Sequence, residues 1–301
     1  MGRRPHIQWP EGARIAVVPS VALETWPPDL GTADSLQNEA RRPIPRTAPY
    51  PRDLNSVTDR QYGERVGVYR LLELFQREGI NTTFFVNGMN ALRTPDLIRE
   101  IHRQGHEVGT ESLIHNYSFM KTPDQEREDL DKTVAAVVQA LGQPPRGFLS
   151  SGVRPTEATP GLLAEAGYLY WADLQHDELP YTLRVKGKDL VALTYFQYLN
   201  DYTTFSGHEK SPRDLLQIWK DTFDYLYREG ETHPAMMIWG VHPCLSGRPY
   251  RAIILEEFIR YAKGFPRVWF ARCLDIAQWW RSNFSEAWVE DWPNFYGPLQ
   301  A

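Results

Sequence analysis

The residues of this 301-residue chain that could move a proton or hold a metal recur at the ends of short apolar runs. Glu24 follows the run at 13–23, and Glu111 and His115 follow the run at 106–110. Ser150 and Ser151 close the run at 147–150, Asp173, His176 and Asp177 follow 168–172, and His242 follows 235–241. Taken singly, each has an ordinary reading: a carboxylate after a strand is commonly a helix N-cap, and His242 is as readily a structural histidine. The pair Glu111 and His115 is sharper, because a spacing of four puts both side chains on one face if the segment makes a helical turn. A carboxylate and an imidazole so placed could bind a metal or serve as base and acid. His102, His106, His208 and His233 fall in helix, turn or loop contexts and read as structural or solvent-facing.

These residues need elements to position them. The run at 13–23 (ARIAVVPSVAL) is nearly continuous and rich in Val and Ile, the pattern of a buried parallel strand. Helical spacing of Val66, Val68, Leu71, Leu72, Leu74 and Phe75 predicts a helix over 63–78, stopped by Gly79. Thr94 caps a helix opening at Pro95. Strands at 81–87, 106–110, 147–150, 168–172, 190–193, 235–241 and 267–270 alternate with helices at 123–141, 159–166, 212–228, 250–262 and 274–280. Seven or so β-then-α units without a break in composition argue for one α/β domain over 1–283. In either a barrel or a doubly wound sheet, function is expected at the C-terminal ends of the strands. The Pro- and Arg-rich stretch at 27–57 is long for a connection and reads as an active-site loop, its Arg41, Arg42 and Arg46 suited to a carboxylate-bearing substrate.

Composition excludes several classes. With 42% hydrophobic and 24% charged residues the chain is ordinarily globular. A net charge of −5, with only isolated pairs at Arg3-Arg4 and Arg41-Arg42, argues against nucleic acid as a partner. Cys244 and Cys273 form no disulfide framework. Neither an apolar leader nor an 18-residue apolar stretch is present, so a cytoplasmic enzyme with no membrane partner is expected. Trp279, Trp280, Trp288 and Trp292 crowd the C-terminal region, and the tail at 284–301 must dock its aromatics on the chain's own barrel or on a neighbour. A homo-oligomer is therefore an expectation.

The ordered segments resemble the polysaccharide-deacetylase superfamily, the NodB-homology or carbohydrate esterase family four fold. The likeness runs from about residue 9 to 283. It is carried by Trp9 to Val17, Tyr62 to Leu72 and Thr82 to Asn87, then by Gly105 to Gly109, Asp177 to Tyr181 and Asn200-Asp201. His242-Pro243-Cys244-Leu245-Ser246-Gly247-Arg248-Pro249-Tyr250-Arg251 is the most specific stretch, and 267–270 with Asp275-Ile276-Ala277 closes the pattern. The resemblance implies a distorted (β/α)7-type barrel. It is nearest to the intracellular branch of metal-independent allantoinases and cyclic imide hydrolases.

The family's catalytic parts match unevenly. Metal-dependent members carry two acids after the first strand, and here stand Glu24 and Thr25. Where two metal-binding histidines are expected, this chain has Glu111 and His115, and the Arg of the third motif is absent from Phe148-Leu149-Ser150-Ser151-Gly152. The late catalytic histidine is matched by His242. The resemblance thus implies a hydrolase of a C–N bond in a small cyclic amide, imide or ureide. Its catalytic residues would be Glu24, Glu111, His115 and His242, with Ser150, Ser151, Asp173 and Arg248 as substrate contacts. No cofactor is favoured. A substitute site for Zn or Mn on Glu24, Glu111 and His115 is the alternative, and with it a metal-dependent deacetylase of an acetylated sugar. A lyase or decarboxylase on the same fold, or an inactive binding protein, are the further alternatives.

Overall fold

The computed structural model describes residues 5–35, 45–205 and 211–292. Ten strands form one sheet in the order β10-β6-β7-β5-β4-β3-β2-β1-β8, with β9 beside β1. They are β1 (Ile15–Leu23), β2 (Thr83–Val86), β3 (Glu107–Thr110), β4 (Gly147–Phe148), β5 (Tyr170–Leu174), β6 (Tyr181–Val185), β7 (Lys188–Thr194), β8 (Ala235–Val241), β9 (Val268–Phe270) and β10 (Val289–Asp291). Every pair is parallel except β6 with β7. The sheet curls until the Phe196 N–H, just past β7, donates to the Ile238 carbonyl of β8 at 2.7 Å. The result is the expected distorted β/α barrel.

The continuous apolar character of β1 has a direct cause: all nine of its residues are buried, with Ile15, Val17, Val21 and Leu23 in one core layer and Ala16 and Val18 in the other. A proline inside such a strand removes a ladder donor. Pro19 falls where β1 changes neighbours, since β9 pairs with Ile15–Val17 and β2 with Val21–Leu23. Its carbonyl accepts from Thr82 Oγ1 at 3.1 Å in that gap, so no sheet partner loses a bond.

Helices α1 (Leu54–Tyr62), α2 (Val68–Arg77), α3 (Gly88–Arg93), α4 (Pro95–Arg103), α5 (Pro123–Leu141), α6 (Thr159–Ala166), α7 (Asp201–Phe205), α8 (Pro212–Glu229), α9 (Pro249–Lys263) and α10 (Cys273–Asn283) cover the sheet. Three expectations are corrected here. Helix begins at Leu54 rather than 63, because the Asp53 carboxylate accepts from the Asn55 N–H at 2.9 Å and caps it. The last residues of the 27–57 loop are therefore helical, and α1 joins α2 through one π turn at Gly63–Gly67. Second, β6 was missed: the segment 181–194 is a hairpin turned by Lys186 and Gly187, both with positive φ. Third, the strand expected at 147–150 is only Gly147–Phe148, and that at 168–172 shifts to Tyr170–Leu174.

The aromatic C-terminal region docks on its own barrel. β10 pairs with β6, Trp288 lies 5.2 Å from Tyr181, and Trp292 meets Trp171 edge-on at 5.8 Å. Trp280 is fully buried, and Trp279 Nε1 donates to the Gln8 carbonyl. The described part of the aromatic region, up to Trp292, thus docks on the chain itself. Residues 293–301 of the tail, His208, and Arg41 and Arg42 of the loop lie outside the described residues. No helix among the described residues is long and apolar enough to cross a membrane.

Candidate active site

Backbone bonds deliver the four expected catalytic side chains to one mouth. Glu24 stands one residue past β1. The Thr25 N–H donates to Asn87 Oδ1 at 2.8 Å, and the His115 N–H donates to the Thr25 carbonyl at 2.8 Å, stitching the loop after β3 to the end of β1. The Glu111 N–H donates to the Val86 carbonyl at 2.9 Å and extends the β2–β3 ladder by one rung. Residues 111–115 are a bent loop rather than a helical turn, so these contacts, not helical spacing, bring Glu111 and His115 together.

The side chains form one buried relay. His115 Nδ1 lies 3.2 Å from Glu111 Oε2 and 3.1 Å from Glu24 Oε1. Glu24 Oε1 lies 3.3 Å from His242 Nε2, and His242 Nδ1 lies 2.6 Å from Asp201 Oδ1. Asp201, at the start of α7, also accepts from the His242 N–H at 2.8 Å and from Ser246 Oγ at 2.5 Å, and is fully buried. Its carboxylate fixes both the ring and the backbone of His242. Sequence reasoning matched Asp201 only as part of the family pattern and gave it no role.

Burial and charge oppose each other at every member. Burial pushes Glu24 up, but His115, His242 and Arg60 outweigh it and hold Glu24 at about 2. Burial also raises Glu111, and there the His115 contact does not compensate. For His115, burial favours the neutral ring, yet Glu24 and Glu111 prevail and raise it. His242 goes well above an ordinary histidine, since Glu24 and Asp201 overcome its burial. Glu24 thus sits between two imidazoles whose charged forms it favours, with a more basic carboxylate, Glu111, at one end.

These groups open on a cleft of about 140 Å³, walled by Trp26, Tyr117, Ser150, Arg154, Tyr195 and Tyr202 among others. Trp26 packs on the His115 ring at 4.6 Å, Tyr202 on the His242 ring at 5.6 Å, and the Arg60 guanidinium lies over both Trp26 and Tyr202. None of these aromatics was singled out from sequence, where aromatic residues read first as core.

The expected substrate contacts divide. Ser150 lines the cleft. Ser151 is buried beneath it and donates to Glu111 Oε2 at 3.3 Å. Asp173 sits behind Ser150, accepting from its N–H at 2.9 Å and its Oγ at 2.6 Å and from the Trp171 indole N–H. Burial pushes Asp173 up to about 7 against those bonds, and its place is behind the cleft wall. Arg248 lies away from the cleft: it pairs with Asp59 at 2.5 Å and stacks on Tyr62. His176 and Asp177 also turn elsewhere, His176 toward Tyr181 and Asp177 capping the next two backbone N–H groups. Arg46 is exposed and paired with Asp34 at 2.6 Å.

The loop bearing His242 rests on glycines. A Cβ at Gly67, in the π turn, would lie 2.0 Å from the Pro243 carbonyl oxygen, and one at Gly247 would lie 2.2 Å from that same atom. Backbone thus meets backbone where the His242-Pro243-Cys244 turn crosses the α1–α2 junction.

Glu24, Glu111 and His115 each offer one ligand atom, and these atoms lie within 4.8 Å of one another. In number and spacing they fit a divalent cation, with two hard carboxylate oxygens and one imidazole nitrogen.

The curled sheet, the mouth at the strand ends and the carboxylate–imidazole relay define a barrel hydrolase, and the comparisons name its family. The polysaccharide deacetylase family model matches residues 59–171. A solved structure of a probable polysaccharide deacetylase from Pseudomonas aeruginosa PAO1 is 32% identical, covers 93% of this chain and 95% of its own, and superposes with a TM-score of 0.80. The solved PuuE allantoinase is 30% identical, covering 93% of this chain and 94% of its own, with a TM-score of 0.81. Among curated proteins, the peptidoglycan deacetylase of Helicobacter pylori is 27% identical over 66% of this chain and 78% of its own length. The chain belongs to the polysaccharide deacetylase family, and it is a hydrolase of non-peptide C–N bonds.

Proposed function

We propose that the chain hydrolyses the amide bond of a small cyclic amide, imide or ureide with its own carboxylates and imidazoles as acid and base. The observation that carries this is the relay Glu111–His115–Glu24–His242–Asp201, every neighbouring pair within 3.3 Å, opening on a cleft of about 140 Å³. The likeness to the PuuE allantoinase over nearly the whole chain supports a ring substrate.

Water attacks the carbonyl carbon and gives its proton to Glu111, whose burial makes it the more basic carboxylate. The new C–O bond leaves charge on the carbonyl oxygen. As the C–N bond breaks, the nitrogen leaves with the proton of His242 Nε2, the ring nitrogen on the side of Glu24 in a residue that lines the cleft. Glu24 favours the charged form of both imidazoles, and Asp201 keeps Nδ1 of His242 engaged so that Nε2 is the donor. Trp26, Tyr117 and Tyr202 supply flat apolar walls for a planar ring. A divalent cation held by Glu24, Glu111 and His115 would supply Lewis-acid polarisation of the carbonyl.

The convergence of those three groups, with the likeness to a peptidoglycan deacetylase, favours a second reading: a metal-dependent deacetylase of an acetylated sugar. Turnover of succinimide, hydantoin, allantoin and N-acetylglucosamine oligomers, followed by product mass, separates the two. Ring opening is expected, and Glu111→Gln should lower its kcat by ~10²-fold or more. Deacetylation of the oligomers with no ring opening would overturn the first reading.

A further inference from the structure

Tyr195 has no part in the relay, yet it lines the same cleft. The residue follows β7, is 1% exposed, and lines the cleft with Glu24, Glu111 and His242. Its placement is enforced. A Cβ at Gly240, two residues before His242 on β8, would lie 1.6 Å from the Tyr195 hydroxyl oxygen, so the phenol occupies the volume that any other residue at 240 would fill.

The direction of the Tyr195 proton follows from its neighbours. Asn200 Oδ1 accepts from the Tyr202 N–H at 2.7 Å, which fixes the amide so that Nδ2 points at Tyr195. Asn200 Nδ2 then donates to the Tyr195 hydroxyl at 2.9 Å. The phenol oxygen is therefore an acceptor in that bond, and its own proton is free to be given elsewhere. No bond from this hydroxyl to an acceptor is found among the described residues, and Tyr195 lines the cleft.

We infer that Tyr195 is a further catalytic residue, an oxyanion donor whose O–H binds the substrate carbonyl oxygen as water adds to its carbon. The inference rests on the hydrolytic reading above. The hydroxyl keeps its proton throughout: it stabilises the charge on oxygen while the proton of water goes to Glu111 and that of His242 to the leaving nitrogen. Burial, with the negative charge of Asp201, Glu111 and Glu24 nearby, holds the phenol protonated. Such a donor, held in place before reaction in a buried site, acts most strongly where charge develops in the transition state.

The test is kinetic, on succinimide, hydantoin and allantoin in parallel. Tyr195→Phe keeps the ring that fills the space over Gly240 and removes only the hydroxyl. A fall in kcat of ~10²–10³-fold with KM within about threefold is expected. Site-specific 3-fluorotyrosine at 195 keeps the donor and should hold kcat within about fivefold of wild type. A Tyr195→Phe kcat within about threefold of wild type would overturn the inference, as would equal losses in both variants, which would point to packing. Inactivity of the wild type on all three rings would remove the hydrolytic reading itself and the inference with it.

Discussion

Asp201 is the place where one atom exchanged should change the chemistry most selectively. Asp201→Asn preserves size but removes the charge that faces His242. The wild-type carboxylate accepts three donors, the His242 N–H, His242 Nδ1 and Ser246 Oγ, at 2.8, 2.6 and 2.5 Å. An asparagine has one oxygen for these, so its NH2 must face a donor. At an effective dielectric of about 20, two unit charges about 4 Å apart attract by roughly 4 kcal/mol. Losing that attraction would lower the His242 pKa, since the Asp201 charge is one of the causes that raise it. The sign matters: a general acid must be protonated, so activity is lost as pH rises through its pKa. Wild-type His242 is raised well above the ordinary range, so its protonated form persists through neutral pH. In Asp201→Asn the alkaline limb of the kcat profile should move to lower pH, and kcat at pH 8 should fall by ~10²–10⁴-fold. Full pH–rate profiles of both proteins, with circular dichroism to confirm folding, make the check. A folded Asp201→Asn enzyme with an unmoved alkaline limb would refute the role assigned to this carboxylate.

Further expectations are independent of that one. Gly67→Ala places a Cβ against the Pro243 carbonyl and should cost about 1–3 kcal/mol in urea unfolding while lowering kcat through displacement of the His242 turn; an unchanged kcat would show that the turn tolerates the shift. His106 is buried, its Nδ1 accepting from the Thr82 N–H at 3.1 Å, and burial with Arg272 nearby lowers it to about 4. Between about 6.5 and about 4 the unfolded chain takes up a proton that the native one refuses, so stability should fall with pH by about 3 kcal/mol over that window. Unfolding at pH 7 and pH 4.5 reads this, and His106→Gln should lose correspondingly less. Ring opening carried by protein groups should survive chelation to below one-tenth equivalent of bound metal; loss with EDTA and return with Mn or Zn would move the chemistry to an ion on Glu24, Glu111 and His115.

The barrel was legible because buried strands are apolar throughout, as in β1 and β8. Glu24, Glu111, His115 and His242 stood out because carboxylates and imidazoles at strand ends share one rim of such a sheet. What escaped detection depends on contacts that cross the chain. Asp201 is separated from β7 by a short 3-10 turn, so no strand end announces it. Its role exists only through a bond to a residue 41 positions away. Arg248 belonged to the most specific stretch of the sequence, but Asp59 and Tyr62 claim its guanidinium outside the cleft. The walls escaped for another reason. Trp26 and Tyr202 have the same residue types as core aromatics, and only burial on one face and a cleft on the other distinguish them. β6 was hidden because the short segment before its Lys186-Gly187 turn reads equally as loop.

In the proposed reaction water is the nucleophile at a C–N bond of a small ring. Turnover of succinimide, hydantoin and allantoin in 18O-labelled water, read by product mass, tests this directly. One labelled oxygen in the newly formed carboxylate is predicted, in the wild type and, at a much lower rate, in Glu111→Gln. A product that carries no label, or intact rings beside a freshly deacetylated sugar oligomer, would contradict it.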